Sequence, residues 1–162
     1  MKPPNIRDDW GEKAMFRHIL VCTDGTKLSD KAVDAAIRLA KDLGARLTGF
    51  HAMQEYPVNP YPEYAMVGGL LAPETWREDQ EKRARRILEK VQARAKKAGV
   101  DCSTRHAADT DPYSAIISAA KKSRCDLIVM ASHGRRGLQG FVLGSETHKV
   151  LTHSKLPVLV YR

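Results

Sequence analysis

Short, almost uninterrupted apolar runs alternate along this chain with segments whose apolar residues recur every three or four positions. The runs at 18–23, 46–53 and 126–130 are typical of strands buried on both faces. Two further strands are predicted at 100–106 and 157–161. Strands that alternate with helices need crossover connections, which produce parallel sheets. We therefore predict an α/β fold: a doubly wound, five-stranded parallel sheet with helices on both faces.

The helical segments have recognisable start and stop residues. The first is predicted to run from a cap at Ser29 to Gly44, because glycine commonly ends a helix. The second covers about 75–98, and the third begins at Asp111-Pro112, a cap followed by a proline suited to the first helical position. A short helix begins after Gly144 and precedes the last strand.

Two segments lack a regular pattern. Residues 1–15 are predicted to be an irregular extension ahead of one domain that covers 16–162, since 162 residues suit a single core. Four prolines and a glycine pair fall within 55–73, which rules out a long helix or strand there. That segment is predicted to be a long loop that acts as a lid.

The formal net charge of +8 comes largely from the predicted second helix, where basic residues lie opposite an apolar stripe. Such a charge attracts nucleic acid or acidic surfaces, but no aromatic residues alternate with these bases to stack on nucleotides. The pattern favours a solvated helix face over a nucleic-acid interface. We do not expect nucleic acid as a partner.

No apolar run approaches the roughly 20 residues that a membrane-spanning helix needs. The first residues also lack the apolar stretch of a signal peptide, so we expect no membrane association and a cytoplasmic protein. Cys22, Cys102 and Cys125 are too far apart for a zinc or redox motif and are expected to be buried apolar residues. His51, at a strand end, is expected to pack rather than to bind a metal.

Glycines are concentrated between the fourth strand and the last helix. The connection contains Gly134, Gly137, Gly140 and Gly144. Glycine lets a backbone approach a ligand closely, and the unpaired N–H groups at a helix start, here Ser145, attract anions. A tight turn without a ligand also uses glycines, but this clustering favours an anion site. Arg135 and Arg136 fit phosphate contact and loop solubility equally well.

In the predicted sheet the winding direction reverses between the first and fourth strands, and ligands bind at such a reversal. The turn after the first strand and the glycine-rich loop therefore meet at one crevice. Asp24 in that turn suits a hydrogen bond from a ribose or a base, although alone it fits a turn or a helix cap as well. A wall for adenine is predicted from Val21, Cys22, Ala52 and Met53.

Several enzyme motifs are missing from the sequence. The Walker pattern needs a lysine that Gly144-Ser145 lacks, and neither a Gly-x-Ser-x-Gly elbow nor a Gly-x-Gly-x-x-Gly segment after the first strand occurs. Residue types of a hydrolytic triad are available in Ser132, His133, Ser145 and Asp24, but no pattern connects them. We predict no catalytic residues, no enzyme activity beyond slow hydrolysis of a bound nucleotide, and no protein metal site.

Over nearly its whole length the chain resembles the universal stress protein family in its small, single-domain bacterial form. The resemblance rests on His-Ile-Leu-Val-Cys-Thr-Asp-Gly-Thr at 18–26, on Ala-Ser-His-Gly at 131–134 with nine residues before Gly144-Ser145, and on Lys-Leu-Pro-Val-Leu-Val at 155–160. It implies a Rossmann-like fold similar to that of the adenine nucleotide alpha hydrolases. It also implies a stress-response regulator that binds ATP, with Mg²⁺ accompanying the nucleotide.

The resemblance further implies which positions contact the nucleotide. ATP-binding members carry glycine, two residues, glycine, nine residues, then glycine and serine or threonine. Asp24 would lie near adenine and ribose, Ala52 would line the adenine pocket, and His133 would stand beside the phosphates. The implied nucleotide-binding residues are Cys22, Thr23, Asp24, Ala52, Met130, Ala131, His133, Gly134, Gly144, Ser145 and Glu146.

Three positions depart from the pattern of the ATP-binding members. Ala131 occupies the first glycine, where a β-carbon would crowd the nucleotide or require a dihedral that alanine disfavours. Glu146 places a carboxylate beside the phosphate site, and Cys22 replaces a proline of some ATP-binding members. The alternative function is therefore a dimeric interaction protein of the same fold that does not bind ATP tightly.

A homodimer through the last strand, Pro157 to Tyr161, is also implied by the resemblance. A short apolar strand at a sheet edge is open to pairing, and twofold pairing with a second copy covers it. The alternative is an edge covered within the monomer by the segment Ile6 to Trp10.

Overall fold

Strands and helices alternate in the computed structural model of the protein, which describes residues 15–56, 73–133 and 143–162. Their order is β1 (His18–Cys22), α1 (Lys27–Leu43), β2 (Arg46–Met53), α2 (Pro73–Ala98), β3 (Cys102–Ala108), α3 (Pro112–Lys122), β4 (Leu127–Ala131), α4 (Ser145–His153) and β5 (Val158–Tyr161). The predicted lid lies mostly in 57–72, and the predicted extension and its segment Ile6 to Trp10 lie in 1–14, so both fall outside the described residues.

The five strands form one parallel sheet in the order β3-β2-β1-β4-β5. Ile19 of β1 lies level with Leu47 of β2 on one side and with Leu127 of β4 on the other. The predicted doubly wound α/β fold is confirmed, and the winding direction reverses between β1 and β4 as expected.

Each face of the sheet is covered by two helices, because successive strand residues point to opposite faces. Ile19 and Val21 pack with Val33 of α1 and Val91 of α2. The intervening Leu20 and Cys22, together with Ile128 and Met130 of β4, pack with Ile116 of α3 and Val150 of α4. β1 and β4 are therefore buried along their whole length, which explains why their apolar runs stand out in the sequence.

The start of α1 differs from the prediction. Thr26, not Ser29, is the N-cap: it has an extended backbone, and its hydroxyl accepts a hydrogen bond from the Ser29 amide at 3.2 Å. Ser29 lies one turn inside the helix and is buried. The predicted stop is confirmed, since Gly44 ends the helix in the left-handed conformation at φ 63°.

The boundaries of α2 and β3 also shift by two residues. Pro73 begins α2 rather than ending the preceding loop, because proline is tolerated at the first helical position. Val100 was predicted to start the third strand, but its amide bonds to the Ala95 carbonyl at 2.9 Å and so completes the end of α2. The strand therefore begins at Cys102.

Two of the three cysteines are buried in the core. Cys22 and Cys125 are buried as expected, whereas Cys102 is only half-buried, and all three are free thiols. Burial raises the pKa of the Cys125 thiol to about 11, so it remains protonated at neutral pH.

Across 15–56, 73–133 and 143–162, no helix is both long and apolar enough to cross a bilayer.

Candidate functional site

The candidate site lies where β1 and β4 end side by side at the winding reversal. Cys22 is the last residue of β1 and Ala131 the last residue of β4. The loop from β1 to α1 and the two ends of the glycine-rich loop therefore lie together at the carboxyl ends of the strands, which we call the sheet edge that carries Asp24. Of the predicted site residues, Gly134 lies outside the described residues.

Asp24 is held in a tight turn between β1 and α1. Its Oδ1 accepts hydrogen bonds from the Thr26 amide at 3.0 Å and the Thr26 hydroxyl at 2.7 Å. The side chain of Thr23 is buried and lies 3.1 Å from the Ser29 hydroxyl. The predicted turn role of Asp24 is therefore confirmed, and the helix cap is Thr26 rather than Asp24. A nucleotide contact by this partly exposed carboxylate stays a prediction.

Gly25 lies where this turn approaches α2. Its φ of +80° belongs to the left-handed region, which favours glycine. A β-carbon at this position would lie 3.1 Å from Cδ1 of Ile87 in α2. A larger residue would be strained at this φ and would require the Ile87 side chain to shift.

His51 of β2 forms a hydrogen bond with the same turn. The ring is buried, and Nδ1 donates a hydrogen bond of 2.7 Å to the Thr23 carbonyl, which can only accept. His51 therefore packs at the strand end, as expected. In the part of the chain that the structure describes, no group of three or more His, Cys, Asp or Glu residues is arranged to hold a metal ion.

The glycine-rich loop is closed at its base by Gly144. The Gly144 amide donates a 2.8 Å hydrogen bond to the Ser132 carbonyl. A β-carbon on Gly144 would lie 3.0 Å from Cα of His133 and 3.1 Å from the Ser132 carbonyl oxygen. Both neighbours are backbone, which cannot rotate aside, so any side chain here would have to displace the backbone by a few tenths of an ångström.

Gly144 is also the N-cap of α4 and provides no capping side chain. The first N–H groups of a helix have no partner within the helix, so an anion placed there is favoured. Ser145, the first residue of α4, is exposed at this point. The predicted Gly-Ser helix start is therefore present, with its N–H groups at the sheet edge that carries Asp24.

Ala131 fits the strand without backbone strain. It is the last residue of β4, lies level with Tyr161 of β5, and is 8% exposed. Its φ is not positive, so the expectation that this position requires a dihedral disfavoured by alanine is wrong. Only the methyl group itself distinguishes this position from glycine.

Ser132 and His133 form a side-chain pair that does not amount to a hydrolytic triad. Ser132 Oγ lies 3.0 Å from Nδ1 of His133, but Ser132 is only 2% exposed. A nucleophile must reach its substrate, and this hydroxyl is enclosed by the protein. The half-buried His133 ring is instead held in place at the edge of the glycine-rich loop.

The side chain of Glu146 bonds to the neighbouring helix α3. Its Oε2 accepts a hydrogen bond from the Tyr113 amide in α3 at 3.0 Å. The carboxylate is therefore engaged by α3, and its place beside the phosphates stays a prediction. The backbone of Glu146 still belongs to the first turn of α4.

Burial separates the predicted site residues into two groups. Asp24, Ala52, His133 and Gly144 are half-buried and Ser145 is exposed. Cys22, Thr23, Met130 and Ala131 are buried where β1 and β4 end. Val21, proposed for the adenine wall, is fully buried against α1, so that expectation is wrong.

A comparison with protein families matches residues 15–162 to the universal stress protein family. The chain belongs to this family. It is 36% identical over 152 residues to the universal stress protein YxiE of Bacillus subtilis, covering 91% of this chain and all of that protein. The resemblance seen in the sequence is thus confirmed.

Solved structures of the family share the fold. A universal stress protein family member from Burkholderia pseudomallei is 29% identical with a TM-score of 0.65, covering 91% of this chain and 96% of that one. A universal stress protein in complex with cAMP is 27% identical with a TM-score of 0.65, covering 91% of this chain and 97% of that one.

Two residues of this universal stress protein that organise the site were not predicted. Thr147 is buried, and its hydroxyl bonds to the Ala131 carbonyl at 3.0 Å, which ties α4 to the end of β4. Lys149 pairs with Glu146 at 3.2 Å. The sequence does show a threonine in a first helical turn and a Glu–Lys pair spaced i,i+3. Neither pattern identifies the long-range partners of Thr147 and Lys149.

Proposed function

We propose that this protein binds an adenine nucleotide in the crevice between the carboxyl ends of β1 and β4. The observation that carries the proposal is the start of α4: Gly144, without a capping side chain, is held 2.8 Å from the Ser132 carbonyl. This places a helix N-terminus, the favoured site for phosphate, at the sheet edge that carries Asp24. The solved relative in complex with cAMP supports the same ligand class.

ATP, accompanied by Mg²⁺, is the nucleotide that we propose. The phosphates would be held by backbone N–H groups at Gly134, Gly144, Ser145 and Glu146, with His133 beside them. Asp24 would accept from the ribose or the base, and Ala52, half-buried at the end of β2, would contact adenine. The close approach at Gly144 fits this role, because a side chain there would occupy the loop base.

The role we propose is regulation rather than catalysis, in the cytoplasm and as a homodimer. β5 lies at the edge of the sheet, and Leu159 on this strand is 39% exposed. Twofold pairing of β5 with a second copy would cover this leucine and satisfy the strand's outer backbone groups. The domain responsible would cover 16–162.

A second candidate function rests on Ala131. Its methyl group stands where the ATP-binding pattern has glycine, and it is buried at the end of β4. A dimeric interaction protein with weak or no ATP binding would retain every other contact described above. Ala131→Gly separates the two functions: nucleotide affinity that arises only in this variant would favour the second.

Titration calorimetry with ATP, ADP, AMP and cAMP tests the proposed function. We expect binding to the natural protein, loss in Gly144→Asp, and weakening in Ser145→Ala. Ser114→Ala is the matched control, because Ser114 is an exposed serine in the first turn of the neighbouring helix α3. Absence of a binding heat with every nucleotide at millimolar concentration would reject the proposal.

A further inference from the structure

The carboxylate of Glu146 caps a helix other than its own. Glu146 is the second residue of α4, and an acidic side chain in a first turn ordinarily lies close to its own helix N-terminus. There it would compete with a phosphate group. Instead, Oε2 bonds to the Tyr113 amide of α3 at 3.0 Å, across 33 positions of sequence.

The start of α3 is arranged to accept this carboxylate. Asp111 is the N-cap residue of α3, but its side chain makes no capping hydrogen bond. The Tyr113 amide in the first turn is therefore satisfied by Glu146. One carboxylate thus serves the N-terminus of α3, while the N-terminus of α4 keeps no acidic cap.

Lys149 holds both acidic residues. Its Nζ lies 3.2 Å from Oε1 of Glu146, 3.8 Å from Oδ1 of Asp111, and 5.3 Å from the centre of the Tyr113 ring. The hydrogen bond to Glu146 raises the pKa of Lys149, so its ammonium stays charged throughout the neutral range. Each partner is partly exposed, so the pair adds little stability, but together with the Tyr113 amide it orients the Glu146 side chain towards α3.

We propose that Lys149 is a positioning residue for the nucleotide site, which keeps the Glu146 carboxylate on α3 and away from the phosphates. This inference rests on the proposed function and extends it to the number of ligand charges that the site accepts. Without Lys149, only the Tyr113 amide holds the Glu146 carboxylate on α3, and the side chain can then turn back to the start of α4, next to Ser145. The cost then grows with the negative charge of the ligand.

Charge interactions over several ångströms near a protein surface give the scale of the effect. We expect Lys149→Met to weaken ATP binding by roughly threefold to tenfold and AMP binding by less, with adenosine least affected. Lys149→Arg retains the charge and the reach to both carboxylates, so it should restore most of the ATP affinity.

The experiment is a double-mutant cycle in which ATP, AMP and adenosine are titrated into the natural protein, Lys149→Met, Glu146→Gln and the double variant. If Lys149 acts by holding Glu146, Glu146→Gln raises ATP affinity more in the Lys149→Met background than in the natural one. Lys122→Met is the matched control, since Lys122 is an exposed lysine at the opposite end of α3.

The outcomes separate the role of Lys149 from nucleotide binding itself. Non-additive effects that grow from adenosine to ATP, with rescue by Lys149→Arg, support the inference. Additive effects, an equal change in Lys122→Met, or an equal loss of adenosine affinity overturn it while leaving nucleotide binding intact. Absence of ATP binding to the natural protein overturns the proposed function and, with it, this inference.

Discussion

The amide of Gly144 donates a hydrogen bond of 2.8 Å to the carbonyl oxygen of Ser132, which closes the glycine-rich loop at its base. Gly144→Ala would place a β-carbon 3.0 Å from Cα of His133. Overpacking of this kind costs about 1–3 kcal/mol of unfolding free energy, and we expect nucleotide affinity to fall as well. Urea denaturation and calorimetry measure the two effects.

Gly44→Ala is the control that separates stability from binding. Gly44 has a positive φ of 63°, but no atom lies within 4 Å of a β-carbon built there. This substitution should cost about 1 kcal/mol through backbone strain and leave nucleotide affinity unchanged. Equal affinity losses in both variants would show that Gly144 acts only through stability.

The hydroxyl of Thr147 ties α4 to the end of β4 through the Ala131 carbonyl at 3.0 Å. Thr147→Val keeps the shape and removes this buried hydrogen bond, so we expect a loss of about 1 kcal/mol in chemical denaturation. Thr152→Val is matched to it: Thr152 bonds the His148 carbonyl at 2.9 Å but is exposed, and its loss should stay within about 0.5 kcal/mol. Equal effects in the two variants would contradict the tie between α4 and β4.

His18 gives the fold a pH dependence at the end of the sheet opposite the candidate site. The residue is 8% exposed, and burial, followed by the charge of Arg46, holds its pKa below the ordinary value of 6.5 despite the opposing charges of Asp126 and Asp101. The unfolded chain therefore binds a proton at higher pH than the folded protein does. The stability that neutral His18 contributes is complete above about pH 6.5 and is lost as the pH falls towards the folded pKa.

Urea denaturation between pH 5 and pH 8 tests this dependence. His18→Asn should flatten the fall in unfolding free energy below about pH 6.5. The comparison uses slopes rather than absolute stabilities, because His18→Asn also alters the 2.8 Å contact between Nε2 and Thr48. An unchanged slope in His18→Asn would refute the assignment.

The proposed dimer is tested by two exposed leucines. Leu159 lies on the edge strand β5 and is 39% exposed, while Leu151 on α4 is 42% exposed. Leu159→Glu should convert the dimer to a monomer in sedimentation velocity, and Leu151→Glu should not. A natural protein that sediments as a monomer at micromolar concentration would exclude β5 as a dimer interface.

The strands and their order were predictable because the central strands are buried on both faces. Their residues form continuous apolar runs, and the right-handed crossover rule then places β1 beside β4. Local boundaries were less predictable. Thr26 and Ser29 are both good capping residues, and only the packing that buries Ser29 selects Thr26.

The backbone elements of the site were predictable, but its long-range side-chain contacts were not. The Gly144-Ser145 helix start and the Asp24 turn are local features, so sequence spacing identified them. The direction of Glu146 depends on Tyr113, which is 33 positions away. No local pattern specifies such a partner, and the sequence therefore suggested a carboxylate at the phosphate site.

The most direct test of nucleotide binding at this crevice is an amide chemical-shift titration of the ¹⁵N-labelled protein with ATP. We predict that the largest shifts occur at Thr23, Asp24, His133, Gly144 and Ser145, with little change along the basic face of α2. The absence of shifts at millimolar ATP, or shifts confined to α2, would contradict the account.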